Sequence, residues 1–421
     1  MPVRNIRLGA FNDSLDNAVA AWLAARLPET LALYKDLHAH PELSSNEKRT
    51  SGIMAHKLRV AGAKVITHIG GYGVTGVVRN GAGPTVLVRA DMDALPIDEE
   101  TGLPYASRMK GVMHACGHDV HMAALASVAA VMIQTKSAWS GTIVFVCQPA
   151  EETAAGAVTM VRDGLWKRVP RPNVCVALHV ETEAAAGQLA LTPGWASANT
   201  DSVDVVIHGK GGHGALPHRA EDPIVAAAQV ITALQTIVTR RVDPMEPVVI
   251  TVGSIHAGQK HNIIPDKALL QLTVRTFSKT TRKKVLKSIE TVVADAARAA
   301  GCSTPPDVNV GVEYTAAMYN DPRLCDHARR IFANIVRPAD VLTLPPTTGG
   351  EDFSVYMDTL GVPGLMFSVG AVEPRAAARA RHGKSSVPLH NSRFFPLPEP
   401  TLKIAVRSMC ALVASLLKER K

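Results

Sequence analysis

Two adjacent carboxylates, Glu151 and Glu152, follow the apolar run 142–147 with only Gln148-Pro149-Ala150 between. The run is short and rich in β-branched residues, which reads as a buried strand. Like charges held this close raise each other's proton affinity unless a cation lies beside them. A metal-assisted site needs such a pair. One carboxylate binds the ion and the other stays free to move protons.

Two further apolar runs finish the same way. The run 85–90 passes into Asp91-Met92-Asp93, and the run 174–178 ends at His179. Helical spacing lies around them. It marks 14–37, stopped by Pro41, and 47–61, with Gly62 just past its end. An Ala-rich helix reaches about 134, and a short helix covers 154–163. Another strand, 74–79, turns into 85–90 through 80–84. The pattern predicts an α/β fold built on a mixed, mainly parallel sheet. In such sheets sites form at the carboxyl ends of the strands. Asp91, Asp93, Glu151, Glu152 and His179 would gather on one edge, within reach of the Cys116-Gly117-His118 loop.

The pattern changes after 195. A strand at 203–207 is followed by a helix at 222–241, with Asp222 as N-cap and Pro223 in the first turn. Strands at 248–255 and 268–277, a helix at 280–300 and a strand at 308–314 complete a βαββαβ, ferredoxin-like order. Afterwards α/β character returns, with a strand at 365–369 and a closing helix at 402–417. The chain therefore divides into a catalytic domain, 1–195 with 316–421, and an inserted domain, 196–315. The Ala-Arg-rich run 374–381 reads as an exposed segment.

Composition narrows the function classes. The chain has 421 residues and is 47% hydrophobic, enough for a large core. A formal charge of +8 invites nucleic acid as a partner, but aromatics are 4% and no basic block precedes the tail 418–421. The charge suits anionic small substrates better. Six scattered cysteines form no disulfide framework and fit a reducing compartment. No apolar leader stands in residues 1–15, and no uncharged apolar run approaches membrane-spanning length. A cytoplasmic protein with no membrane partner is the expectation.

Cys116 and His118 offer a thiolate and an imidazole, both good ligands for a borderline ion such as zinc. Taken alone, the pair reads equally well as a buried thiol beside a hydrogen-bonded histidine. Joined by Glu152 and His179 at one predicted sheet edge, it becomes a constellation. His390 on its own would be a loop histidine. Asp91 and Asp93 read as direct ligands, as groups that orient the histidines, or as caps and turn formers.

Longer segments carry a resemblance. These are Leu37-His38-Ala39-His40-Pro41-Glu42-Leu43, Arg89-Ala90-Asp91-Met92-Asp93-Ala94-Leu95-Pro96, 113–119, 148–152 and Gly209-Lys210-Gly211-Gly212-His213. Asn262-Ile263-Ile264-Pro265, Gly349-Gly350-Glu351-Asp352-Phe353 and Leu389-His390 follow. In this order they resemble the aminoacylase/carboxypeptidase-G metallopeptidase superfamily. Within it they are most similar to the branch of hippurate hydrolases and hydrolases of indole-acetic acid–amino acid conjugates. The resemblance implies two divalent ions per subunit, zinc or manganese, with cobalt or nickel also compatible. Their ligands would be Cys116 (bridging), His118, Glu152, His179 and His390, with Glu151 as general acid/base. It implies a lid and dimerisation role for the inserted domain. His213 would stabilise an oxyanion across a homodimer or higher homo-oligomer. Asn262 and Arg275 would contact the substrate carboxylate, and Gly350 would let the backbone approach the ligand. The implied reaction is hydrolysis of N-acyl (N-aroyl) amino acids, with dipeptide or C-terminal cleavage as the alternative. The segment Val180-Glu181-Thr182-Glu183 and the basic run 374–384 depart from the pattern and leave the acyl group open.

Overall fold

The computed structural model describes residues 8–384 and 386–419. Residues 1–7, part of the stretch 1–15 considered above, and the last two residues of the basic tail lie outside it. Two compact units emerge: Met1–Ala196 with Tyr319–Pro345 and Asp352–Lys421, and Ser197–Met318 with Pro346–Glu351.

The first unit is built on a mixed sheet. From one edge its strands run Lys64–Ile69, Gly73–Asn80, Trp139–Gln148, Thr85–Asp91, Val174–Ala185, Gly364–Val372, Leu189–Leu191 and Val341–Thr343. Lys418–Glu419 adds to Trp139–Gln148 off this path. Thr85–Asp91 is parallel to both its neighbours, and Gly364–Val372 is parallel to Val174–Ala185. Antiparallel pairs lie toward the margins. All ten residues of Trp139–Gln148 are buried, so polar alternation is absent, as expected of a strand covered on both faces.

Helix His118–Gln134 is apolar almost all round and is buried accordingly. It packs with helices Asp13–Ala39 and Pro398–Leu416. Val88, Phe145, Val176, Phe367, Val128 and Met409 belong to the core they enclose. Emptying one large position, as in Phe145→Ala, would cost roughly 3–5 kcal/mol.

The second unit has a four-stranded antiparallel sheet, ordered Val249–Ala257, Lys267–Thr276, Asn199–His208, Asp307–Thr315. Helices Pro223–Thr236 and Lys279–Ala299 interleave in a βαββαβ chain order. Asp222 and Ser278 cap them through their side chains. Ala226, Val230 and Leu234 meet Val285, Ile289 and Val293 in a separate core.

Three expectations change. Lys64–Ile69 is a strand that the sequence reading leaves out, because only one of its six residues is buried and no apolar run marks it. The run 374–381 is a helix, Pro374–Arg381, with Ala377 buried, the other alanines half-buried and Pro374 and the arginines exposed. Finally, Pro223–Arg241 is long and apolar enough by length and composition to cross a membrane. Its Ala226, Ala227, Val230 and Leu234 are buried in the second unit's core.

Candidate active site and metal centre

Strand register explains why distant residues meet. Asp91 pairs with Gln148, so Asp91 and the Glu151–Glu152 turn leave the sheet at the same end. Arg89 pairs with Ala177, which sets His179 two residues further along the adjoining strand. The Cys116 loop enters helix His118–Gln134 through Gly117, which has φ +82°. A β-carbon there would also collide with Val180, so glycine is required twice over. His390 has φ +61° and donates its backbone N–H to the Ala115 carbonyl at 2.9 Å. That bond ties a late segment to the Cys116 loop.

Five side chains converge. Cys116 Sγ lies 3.5 Å from His179 Nε2 and 3.2 Å from His390 Nε2. Glu152 Oε1 lies 3.6 Å from His390 Nε2 and 3.8 Å from His118 Nε2. Two three-donor groups result, Cys116–His118–His179 and Cys116–Glu152–His390, each with donors within 4.8 Å of one another. Cys116 is common to both. Glu151 falls in a third such group with His118 and Glu152.

Tautomers are set by neighbouring carbonyls. His118 Nδ1 donates to the Asp93 carbonyl at 2.8 Å, and His179 Nδ1 donates to the Val180 carbonyl at 2.7 Å. A carbonyl oxygen can only accept, so Nδ1 carries a proton in each ring and Nε2 is the nitrogen turned to the donor cluster. His118 Nε2 and Glu152 Oε1 are buried without a hydrogen-bond partner. Leaving such acceptors unpaired is unfavourable unless something supplies positive charge. Burial, with His118 opposing it, holds the Cys116 thiol well above its ordinary range. A cation would draw it to the thiolate. The donor set therefore fits divalent metal.

Asp91 and Asp93 stand behind these donors. Asp91 Oδ1 accepts from His121 Nδ1 at 2.6 Å, and its other oxygen meets Arg89 at 2.5 Å. Burial opposes its ionisation, yet Arg89, His118 and His121 hold it well below the usual carboxylate range. Asp93 Oδ2 accepts the Ser44 hydroxyl at 2.7 Å and the Glu152 N–H at 2.9 Å. Arg89 also reaches Asp352 at 3.1 Å and Gln148 at 3.0 Å.

Among the buried histidines to which the sequence reading gave no role, two are committed to carboxylates. His121 Nε2 accepts the Val180 N–H at 3.0 Å while Nδ1 bonds Asp91, so both nitrogens are committed. Burial brings it down to about 4, so it is neutral. The available signal was its place one helical turn after His118. His38 bridges Asp119 at 2.6 Å and Glu99 at 3.2 Å. Nothing local in its sequence announces that pairing.

The remaining expected residues belong to the second unit. His213 and Asn262 adjoin in a small ribbon where Ile263 pairs with His213 and Gly214 N–H bonds the Asn262 carbonyl at 2.9 Å. His213 is exposed, and its Nδ1 accepts from the Ala215 N–H. Arg275 bonds the Thr200 hydroxyl. A β-carbon on Gly350 would stand 3.0 Å from that hydroxyl, so here glycine permits close approach.

Comparison with known proteins agrees with this picture. A sequence profile described as peptidase family M20/M25/M40 matches residues 87–393. The chain is 36% identical over 335 residues to the N-acetyl-L-cysteine deacetylase of Bacillus subtilis (strain 168), covering 78% of each. It is 34% identical over 378 residues to thermostable carboxypeptidase 1 of Saccharolobus solfataricus, covering 89% of this chain and 92% of that one. The crystal structure of the Bacillus subtilis YXEP protein, described as a dinuclear metal binding peptidase from the M20 family, superposes with a TM-score of 0.76 at 29% identity. The match covers 94% of this chain and 99% of that one.

Proposed function

The chain belongs to peptidase family M20/M25/M40, and on that footing we propose that it is a dinuclear metal-dependent amidohydrolase. It cleaves N-acyl, including N-aroyl, amino acids to a carboxylic acid and a free amino acid. The sharing of Cys116 between two three-donor groups carries this reading. His118 and His179 would hold one ion and Glu152 and His390 the other, with Cys116 available to both. Zinc or manganese suits this mixed sulfur, nitrogen and oxygen set. Bound there, such ions would supply Lewis acidity toward water and the amide carbonyl.

Glu151 takes the proton of the attacking water and delivers it to the leaving amine nitrogen. Its neighbour Glu152 is committed to the ion, so the two carboxylates divide the work. Asp91 and Asp93 keep His121, His118 and Glu152 in place. In the second unit, Arg275 and Asn262 take the substrate carboxylate, and Gly350 lets the backbone come close. His213 stabilises the oxyanion from the partner in a homodimer. Within that unit, the inserted segment 196–315 acts as a ferredoxin-like lid and dimerisation domain. The enzyme works in the cytoplasm.

The identity to thermostable carboxypeptidase 1 favours a second reading, cleavage of dipeptides or of a C-terminal residue. Metal-stripped protein reloaded with zinc, manganese, cobalt or nickel should release amino acid from N-acetyl, N-benzoyl or indole-acetyl conjugates. Cleavage of dipeptides alone would favour the second reading. Glu151→Gln should keep its metal and lose turnover by a factor of roughly 10² or more. Near-normal turnover would remove Glu151 as the base.

A further inference from the structure

Resting on the reading of Glu151 as general base, we propose that Glu47 is a positioning residue that holds Glu151 in place through the backbone of its turn. Glu47 opens helix Lys48–Ala61, but its side chain does not cap that helix. It turns inward and is fully buried. Its Oε1 accepts the N–H of Ala150 at 2.8 Å and that of Ser45 at 2.9 Å.

Ala150 directly precedes Glu151 and has φ +52°. A non-glycine residue is strained in this left-handed region. It persists only where the surroundings over-determine it. Glu47 supplies one such constraint, a hydrogen bond from a backbone amide 103 residues away in sequence. The Ala150 carbonyl supplies another by accepting the Gly156 N–H at 3.0 Å.

A matching bond lies on the far side of Glu151. The Glu152 N–H goes to Asp93 Oδ2 at 2.9 Å, and Ser44 donates to that same oxygen. Two carboxylates thus fix the amides immediately before and after Glu151. Ser44, Ser45 and Glu47 come from one short loop, so this loop sets the turn from both ends. Glu47 acts on the direction in which Glu151 leaves the chain.

Geometric errors near 1 Å at a reacting group can lower rate by about 10². The test compares Glu47→Ala and Glu47→Gln in the wild-type and Glu151→Gln backgrounds, using metal-loaded enzyme with metal content measured. Glu47→Ala should lower kcat about 10²-fold while metal content is unchanged and KM moves less than about twofold. Glu47→Gln should recover most of the loss, because its amide oxygen still accepts the Ala150 N–H. In the Glu151→Gln background Glu47→Ala should cost nothing further, since residues acting through one another are non-additive. If Glu47→Ala fails to fold, Glu47→Asp replaces it. That variant keeps the carboxyl group but is one methylene too short to reach Ala150, and the same kcat loss is expected. Unchanged kcat, a loss that only follows lost metal, or an equal loss in both backgrounds would overturn the proposal. Full activity of Glu151→Gln alone would instead overturn the reading of Glu151.

Discussion

His390 Nε2 stands 3.2 Å from Cys116 Sγ, although 274 residues separate them in the chain. Their backbones are joined as well, through the His390 N–H and the Ala115 carbonyl. The contact is therefore built into the path of the chain and does not depend on a long side chain reaching across. It also makes Cys116 the one donor common to both groups.

Cys116→Ser should accordingly affect both ions together. A hydroxyl is a poorer and harder ligand than a thiolate. Affinity for each ion should fall roughly tenfold or more. Elemental analysis at a metal concentration that saturates the wild type should show fewer ions bound. Loss of only one ion would mean that Cys116 does not bridge, and full loading would end its ligand role.

His121→Asn separates a supporting histidine from a ligand. His121 spends both nitrogens on Asp91 and Val180, although Asp91, His118 and His121 also lie close enough to form a three-donor group. As an orienting group, it should cost roughly 10–100-fold in metal affinity when removed. The number of ions bound at saturation should stay the same. A lower count at saturation would show that His121 is itself a ligand.

What could be read beforehand follows from locality. The strands ending in Asp91 and Glu151–Glu152, and the one carrying His179, declare themselves as apolar runs that stop at polar residues. Register between parallel neighbours then places those ends together. Lys64–Ile69 could not be read this way, because an edge strand with one buried residue leaves no periodic signal. His390 became a site residue only through resemblance, since its contact with Cys116 is a matter of chain path. The burial of His38 and Glu47 was equally hidden. Each has a partner far along the chain, Asp119 81 residues from His38 and Ala150 103 residues from Glu47, and no local pattern encodes such a partner.

Arg275→Lys tests recognition of the substrate carboxylate. Arg275 bonds Thr200 through one guanidinium nitrogen, which leaves other donors of its planar fork for a ligand. Lysine keeps the charge but loses the two-pronged geometry. Hydrogen bonds to charged groups contribute about 1.5–3 kcal/mol, roughly 10- to 150-fold in binding. KM for an N-acyl amino acid should rise within that range while kcat changes little. An unchanged KM would place the carboxylate elsewhere.

His38 predicts a pH dependence of stability. Burial disfavours its charged form, yet the hydrogen bonds and charges of Asp119 and Glu99 lift it to about 9. In the unfolded chain the group titrates near ~6.5. Below that pH both states hold the proton, and the full contribution is present. As pH rises through about 9 the native state releases its proton and the contribution disappears. The gap corresponds to on the order of 3 kcal/mol. Urea unfolding of metal-free protein between pH 6 and 10 should therefore show wild type losing stability relative to His38→Gln as pH rises. Curves that stay parallel across this window would mean that His38 is not held protonated between Asp119 and Glu99.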